Sequence, residues 1–355
     1  MSVPRPVIVV GTGRCGSTLV SGLMRAHPQV LSISELFSFV TDLGARVPGA
    51  FEPGPVSGAR FWARLTERMP RSNLLLRHGL RMPEVTYPLG GGRERPDPGV
   101  PAVSMAMLPH LSDDPDALLD ALAPVMRERA PASMAAHYRA LFEHLMHRFG
   151  RRTWVERSGG SLRIVHRLVE AFPDAHWVHL VRDGRNTAIS MSRHIGFRMA
   201  LMGYSLLELL GVDPFESDDR SEADDLPDDL AALLPEAFTA EAFRSFDLSP
   251  AMCGHYWSGE IRRGLEVLGA MAPERVTTLV YEDLLEHPRE GLARLGATLG
   301  LGPVDAGWVE AGVARIGRGR SAWRELPPAE RRELTEACAP GLAALAEVGV
   351  RWDER

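Results

Sequence analysis

VIVVGTGRCGSTLVSGLM, residues Val7 to Met24, carries the signals on which the fold turns. Val7, Ile8, Val9 and Val10 form a β-branched, wholly apolar run, the pattern of a strand buried on both faces. The run stops at Gly11-Thr12-Gly13, where glycine permits a sharp turn. Gly16-Ser17-Thr18 then opens a helix whose Leu19, Leu23 and Met24 are placed to face the sheet. Strand, turn and helix start together make an anion site. The first amide N–H groups of a helix lack intrahelical partners and carry the positive end of its dipole, so a phosphate or sulfate oxygen is expected there.

The spacing is close to the nucleotide-binding pattern G-x-x-x-x-G-K-[ST], with one departure. Ser17 occupies the lysine position, and Arg14 lies earlier in the loop. No lysine is available elsewhere, because all 40 Lys and Arg residues are arginine. A P-loop kinase of small molecules therefore lacks its phosphate-gripping lysine, and another phosphorylated donor is expected. A dinucleotide oxidoreductase is weaker still: Gly11, Gly13 and Gly16 fit G-x-G-x-x-G, but no ribose-binding acid stands at the expected distance.

The strand–loop–helix pattern recurs. Val30–Ile33 reads as a second strand with Glu35 at its end. Thr153–Glu156 is a third, followed by Arg157-Ser158-Gly159-Gly160 and a helix to Phe172. His176–Val181 is a buried-type strand that stops at Arg182-Asp183-Gly184-Arg185-Asn186, before a helix carrying Ser190; Arg275–Val280 is the last. The expected fold is α/β: a three-layer parallel sheet with a P-loop-like first unit and helical cap insertions. One domain over 1–355 is expected, with inserts at about 45–130 and 205–250. Helical patterns cover Ala59–Met69, Asn73–Arg81, Ala117–Arg129 and Met134–Phe149. Val103–His110 is an apolar run that reads as a strand or a buried lining. DPFESDDRSEADDLPDDL, from Asp213, is a solvated surface stretch or a lid.

A net charge of −6 argues against broad nucleic-acid binding. Cys15, Cys253 and Cys338, odd in number and far apart, suit reduced thiols better than a disulfide framework. Neither a signal-peptide core nor an apolar run of membrane length is present, so a cytoplasmic protein without a membrane span is expected. No metal-ligand spacing stands out, and a homodimer is compatible with the chain.

These pieces, in this order, resemble the sulfotransferases that use 3′-phosphoadenosine-5′-phosphosulfate (PAPS). GTGRCGSTL resembles their 5′-phosphosulfate loop. LVRDGRNTAIS resembles their 3′-phosphate element, an Arg and a Ser eight residues apart, here Arg182 and Ser190. WVERSGG is similar to their strand ending in E-K-[ST]-P, and LVYEDLLEHP and the Gly/Arg-rich loop near Trp323 also have counterparts. The resemblance covers roughly 6–35, 153–193 and 255–335. It implies PAPS as sulfuryl donor without a metal; the acidic balance and the lack of a secretion signal direct the expected acceptor to a small-molecule hydroxyl: a natural product, sugar or lipid.

The resemblance assigns Gly13, Arg14, Cys15, Gly16, Ser17 and Thr18 to the phosphosulfate. Arg182 and Ser190 take the 3′-phosphate, and Arg318, Arg320 and Arg324 close over the nucleotide. Glu35 stands where the tyrosylprotein-type branch has a catalytic glutamate, with a similar His-Pro (His27-Pro28) before it. That makes it the preferred base over a helix cap, with His110 second. Arg14 and Arg157 replace lysines of many relatives, and Gly159 replaces a proline. Arg157 is expected to stabilise charge but cannot give up a proton. A non-catalytic nucleotide-binding module, keeping the anion sites without a base, is the alternative beside the kinase.

Overall fold

The strands form where the β-branched runs predict them. In the computed structural model, which describes residues 5–317 and 321–352, they are β1 (Val7–Val10), β2 (Val30–Ser34), β3 (Thr153–Arg157), β4 (His176–Val181) and β5 (Val276–Val280). All pair in parallel, in the order β2-β3-β1-β4-β5. Alternation along each strand sorts side chains between two cores. Ile8, Val10, Leu31, Ile33 and Trp154 face one cluster, which holds most of the aromatic residues. Val7, Val9, Val30, Val155 and Val178 face the other, packed under helix α1 (Ser17–Arg25) and helices Pro288–Thr298 and Ala306–Val313. Helices on both faces of a parallel sheet give the expected three layers.

One expected strand is absent. Val103–His110 folds as two short helices, Ala102–Met105 and Met107–Leu111, with Val103, Met105, Met107 and Leu108 buried. The run is built from Ala, Met and Leu, good helix formers, and Pro101 stands at the N-cap. The buried-lining half of the expectation holds.

The acidic stretch is tied down at its start. Asp213 pairs with the buried Arg71 at 2.6 Å and Glu216 with Arg46 at 3.0 Å, so segments far apart in sequence hold each other. Beyond them come only the short turns Ala223–Asp225 and Asp228–Ala231. Among the described residues, no helix is long and apolar enough to cross a membrane.

Because every strand runs the same way, their carboxyl ends share one edge. β1 lies between β3 and β4: the chain builds β2 and β3 on one side of it and then crosses to β4 and β5 on the other, which opens a crevice at that edge. The turn after β1, Glu35, Arg157 and Arg182 all lie there.

Candidate active site

The turn after β1 is wound by left-handed residues: φ is 78° at Gly13, 55° at Arg14 and 94° at Gly16. Gly16 is the N-cap of α1, and no side chain caps that helix. Its first N–H groups are therefore left for a ligand or water. A Cβ on Gly16 would lie 2.2 Å from Tyr281 Cδ2, so glycine is required by conformation and by space. The Cys15 side chain packs inward, with its thiol pushed up by burial, which leaves only its backbone to the site. Ser17 is half-buried and lines the cavity described below, whereas Thr18 is exposed.

The turn after β4 meets the first. Arg182 donates from Nη1 to the Arg14 carbonyl at 3.0 Å, and its guanidinium lies 4.9 Å from the Tyr281 ring centre. Ser190 accepts from Arg14 Nε at 3.1 Å, joining residues 176 apart in sequence. Among the described residues, Arg182 is paired with neither nearby aspartate: Asp183 holds Arg185 at 2.7 Å, and Asp174 holds Arg139. Trp323 lies on Arg185 at 3.8 Å and donates its backbone N–H to Asn186 Oδ1 at 3.3 Å, with the Arg324 guanidinium 5.0 Å from its ring. Arg318 and Arg320 lie outside the described residues.

Glu35 sits at the N-cap of helix α2 (Leu36–Val40) with φ 58°, yet its carboxylate makes no cap bond to that helix. Oε1 pairs with Arg157, and Oε2 accepts from the Ser38 hydroxyl and from the Gly159 N–H at 2.8 Å. Glu35 and Arg157 are both buried, and Arg157 also donates to Ser34 Oγ at 2.7 Å. Arg157, expected to face the donor's developing charge, is thus directed at the carboxylate. Behind it, buried Glu156 has its carboxyl pushed up to about 8 by desolvation, against the Ser158 hydroxyl bond and Arg157. Ser158 Oγ in turn accepts from the Phe37 N–H at 2.9 Å, which anchors α2.

His110 lies elsewhere. Its Nε2 is 3.1 Å from Ser32 Oγ, back along β2, and the side chain is not in the cavity wall. Burial, then Arg25 and Arg157, lower its pKa to about 4.

Between Glu35 and the β1 turn opens a cavity enclosing about 810 Å³ out to its mouth. Arg14, Ser17 and Glu35 bring polar atoms to it, and Phe37, Phe39, Met82 and Phe197 supply apolar wall. Among the lining residues not foreseen from sequence are Glu84, His194 and Arg163. Glu84 accepts from Arg14 Nη1 at 3.1 Å and from His194 Nε2 at 3.0 Å. Burial raises the Glu84 carboxyl, but the His194 bond and charge, with Arg14, bring it below its ordinary value. No motif marks these residues; long-range packing brings them in.

The site thus joins a P-loop-like turn to a second cationic strand end, with a carboxylate in the crevice. The profile of the sulfotransferase family matches residues 6–239. The chain belongs to the sulfotransferase family. The match runs through 45–130, a stretch without a recognisable motif, and ends before the Trp323 loop. This sulfotransferase is similar in structure to the sulfotransferase domain of the Synechococcus PCC 7002 olefin synthase, at 14% identity over 99% of this chain and 97% of that one, TM-score 0.43. It is also similar to the sulfotransferase domain from the curacin biosynthetic pathway (13% identity, 99% of each chain, TM-score 0.46). A third is sulfotransferase STF9 from Mycobacterium avium (18% identity, 99% of this chain and 78% of that one, TM-score 0.44). No curated protein matches the chain.

Proposed function

We propose that the enzyme transfers a sulfuryl group from PAPS to the hydroxyl of a small-molecule acceptor, releasing adenosine 3′,5′-bisphosphate. The observation that carries this reading is the presence of two anion elements, unlike in construction and joined through Arg14, Ser190 and Arg182. A donor with two anionic ends needs both. The open N-terminus of α1, Arg14 and Ser17 would hold the phosphosulfate; Arg182 and Ser190 would hold the 3′-phosphate.

In this reading Glu35 takes the proton from the acceptor hydroxyl as its oxygen bonds to sulfur and the bond from sulfur to the phosphate oxygen breaks. Charge gathering on the leaving phosphate oxygen meets the α1 amides and Arg14. Arg157 fixes Oε1, leaving Oε2 as the working oxygen. The Ser38 hydroxyl on Oε2 is also 3.1 Å from the Gly159 carbonyl, so it can turn there and free a lone pair for the acceptor. The acidic net charge disfavours polyanionic acceptors.

A thermal-shift panel tests the donor. Adenosine 3′,5′-bisphosphate without magnesium, at a hundredfold excess over its dissociation constant, should stabilise the fold by ~2.7 kcal/mol, a shift of roughly 2–4 °C or more. A larger shift from ATP with magnesium, or from NAD, would overturn the proposal.

A further inference from the structure

Arg163 is the cavity-lining cation that the donor chemistry leaves without a role. It lies on the turn Ser161–Ile164, four residues beyond the Gly159 whose N–H holds Glu35. Arg14, the other arginine in the wall, is matched by Glu84. Among the described residues, Arg163 makes no ion pair. Its guanidinium lies 4.2 Å from the centre of the Tyr204 ring, and its charge reaches the Tyr256 hydroxyl. Glu260 feels its charge but is paired with Arg263, so two arginines meet one carboxylate and one positive charge remains. The Tyr204 hydroxyl beside it is buried and has no hydrogen-bond partner among the described residues. A half-buried cation without an ion-pair partner, beside a buried unsatisfied hydroxyl, is a place an anion would complete.

The wall around this cluster is aromatic: Phe37, Phe39, Phe197 and Tyr256 line the same cavity. Such a wall takes a flat apolar body, and convergent polar groups fix its orientation. We propose that Arg163 binds a carboxylate, so that the acceptor is a phenol or aromatic alcohol carrying a carboxylate at the end remote from its reacting hydroxyl. This rests on the sulfuryl-transfer reading above. Glu35, held by the Gly159 N–H, and Arg163, on the turn that follows, then set acceptor length.

The test uses the full-length enzyme with PAPS and a series of probes: 4-hydroxybenzoate, 4-hydroxyphenylacetate and 3-(4-hydroxyphenyl)propanoate, each with its primary amide. The amides keep shape and lose charge. At least one acid should exceed its amide in kcat/KM by about 10–100-fold, the value of a charge-assisted bond. In Arg163→Met this preference should vanish through KM, with kcat and adenosine 3′,5′-bisphosphate binding unchanged. Arg163→Lys should keep part of it, and Tyr204→Phe, which leaves the cation, should weaken it. Equal use of acid and amide by the unaltered enzyme would overturn the proposal. So would an Arg163→Met loss shared by acid and amide, which would mark Arg163 as a structural partner of Glu260. Failure of every probe while the bisphosphate still binds overturns the acceptor class alone; failure of the bisphosphate to bind overturns the donor reading and this inference with it.

Discussion

The turns after β1 and β4 share one plan, strand then tight turn then helix, and they differ in how the helix begins. Helix α1 starts at Gly16 with no side-chain cap. Helix Gly184–Ser192 starts at Asp183, whose carboxylate accepts from the Arg185 N–H at 2.9 Å and also grips the Arg185 side chain. One helix N-terminus is open and the other is closed by its own aspartate. Two anions on one nucleotide would therefore be met by different chemistry: backbone amides at the first turn, the side chains of Arg182 and Ser190 at the second. Tyr281 couples them, lying against Gly16 and beneath Arg182.

The steepest loss should come from a residue outside both turns, and it separates chemistry from binding. Glu35→Gln keeps the shape of the side chain but cannot take a proton. Turnover should fall on the order of 10²–10⁴-fold with bisphosphate affinity nearly intact, read by steady-state kinetics beside calorimetry. Near-normal turnover would remove Glu35 as the base, and with His110 held against Ser32 it would direct attention to His194.

Gly16→Ala attacks the open turn itself. The left-handed φ and the Tyr281 contact should cost about 1–3 kcal/mol of stability, measured by denaturant unfolding. A fully stable variant would contradict the geometry drawn for the first turn. Asp183→Ala strikes the closed one. Loss of the cap should cost ~1 kcal/mol, and donor affinity should change far less than stability if that helix start plays no part in holding phosphate. A variant that bound the bisphosphate much more weakly at full stability would erase the contrast.

A gentler effect concerns β3, the strand beside β1. Glu156, pushed up to about 8 from the ordinary 4.5, keeps a proton in the folded chain that the unfolded chain releases. The Glu156 contribution to stability should therefore fall as pH rises from about 4.5 to about 8. His110, His176 and His179, all lowered to about 4 by burial, act on the acid side. The unfolded chain takes up protons they refuse, so their contribution should fall as pH drops from 6.5 towards 4. In melting temperatures measured against pH, Glu156→Gln should flatten the fall between 6.5 and about 8 and, with the opposing slope gone, steepen the acid limb below 6.5.

Much of this arrangement is written locally. β-Branched runs mark strands buried on both faces, and the glycines and charged residues just beyond each run mark its end, so Arg14, Glu35, Arg157 and Arg182 are legible as crevice residues. Their partners are not. That Arg157 faces Glu35 depends on β2 lying beside β3, which only the assembled sheet shows. Glu84 and Arg163 sit in a loop and a short turn without periodicity, and reach the cavity through packing between distant segments. Val103–His110 is ambiguous for another reason: a short apolar run has no period to tell strand from helix, and its Met, Ala and Leu content decides for helix.

Whether one nucleotide is held by a backbone site and a separate side-chain site can be measured by calorimetric titration of adenosine 3′,5′-bisphosphate and of AMP into the unaltered enzyme and Arg182→Met. The bisphosphate should bind the unaltered enzyme about 10–100-fold more tightly than AMP, Arg182→Met should remove most of this difference, and AMP affinity should barely move. Equal affinity for the two nucleotides in the unaltered enzyme, or an undiminished preference in Arg182→Met, would contradict the two-site arrangement.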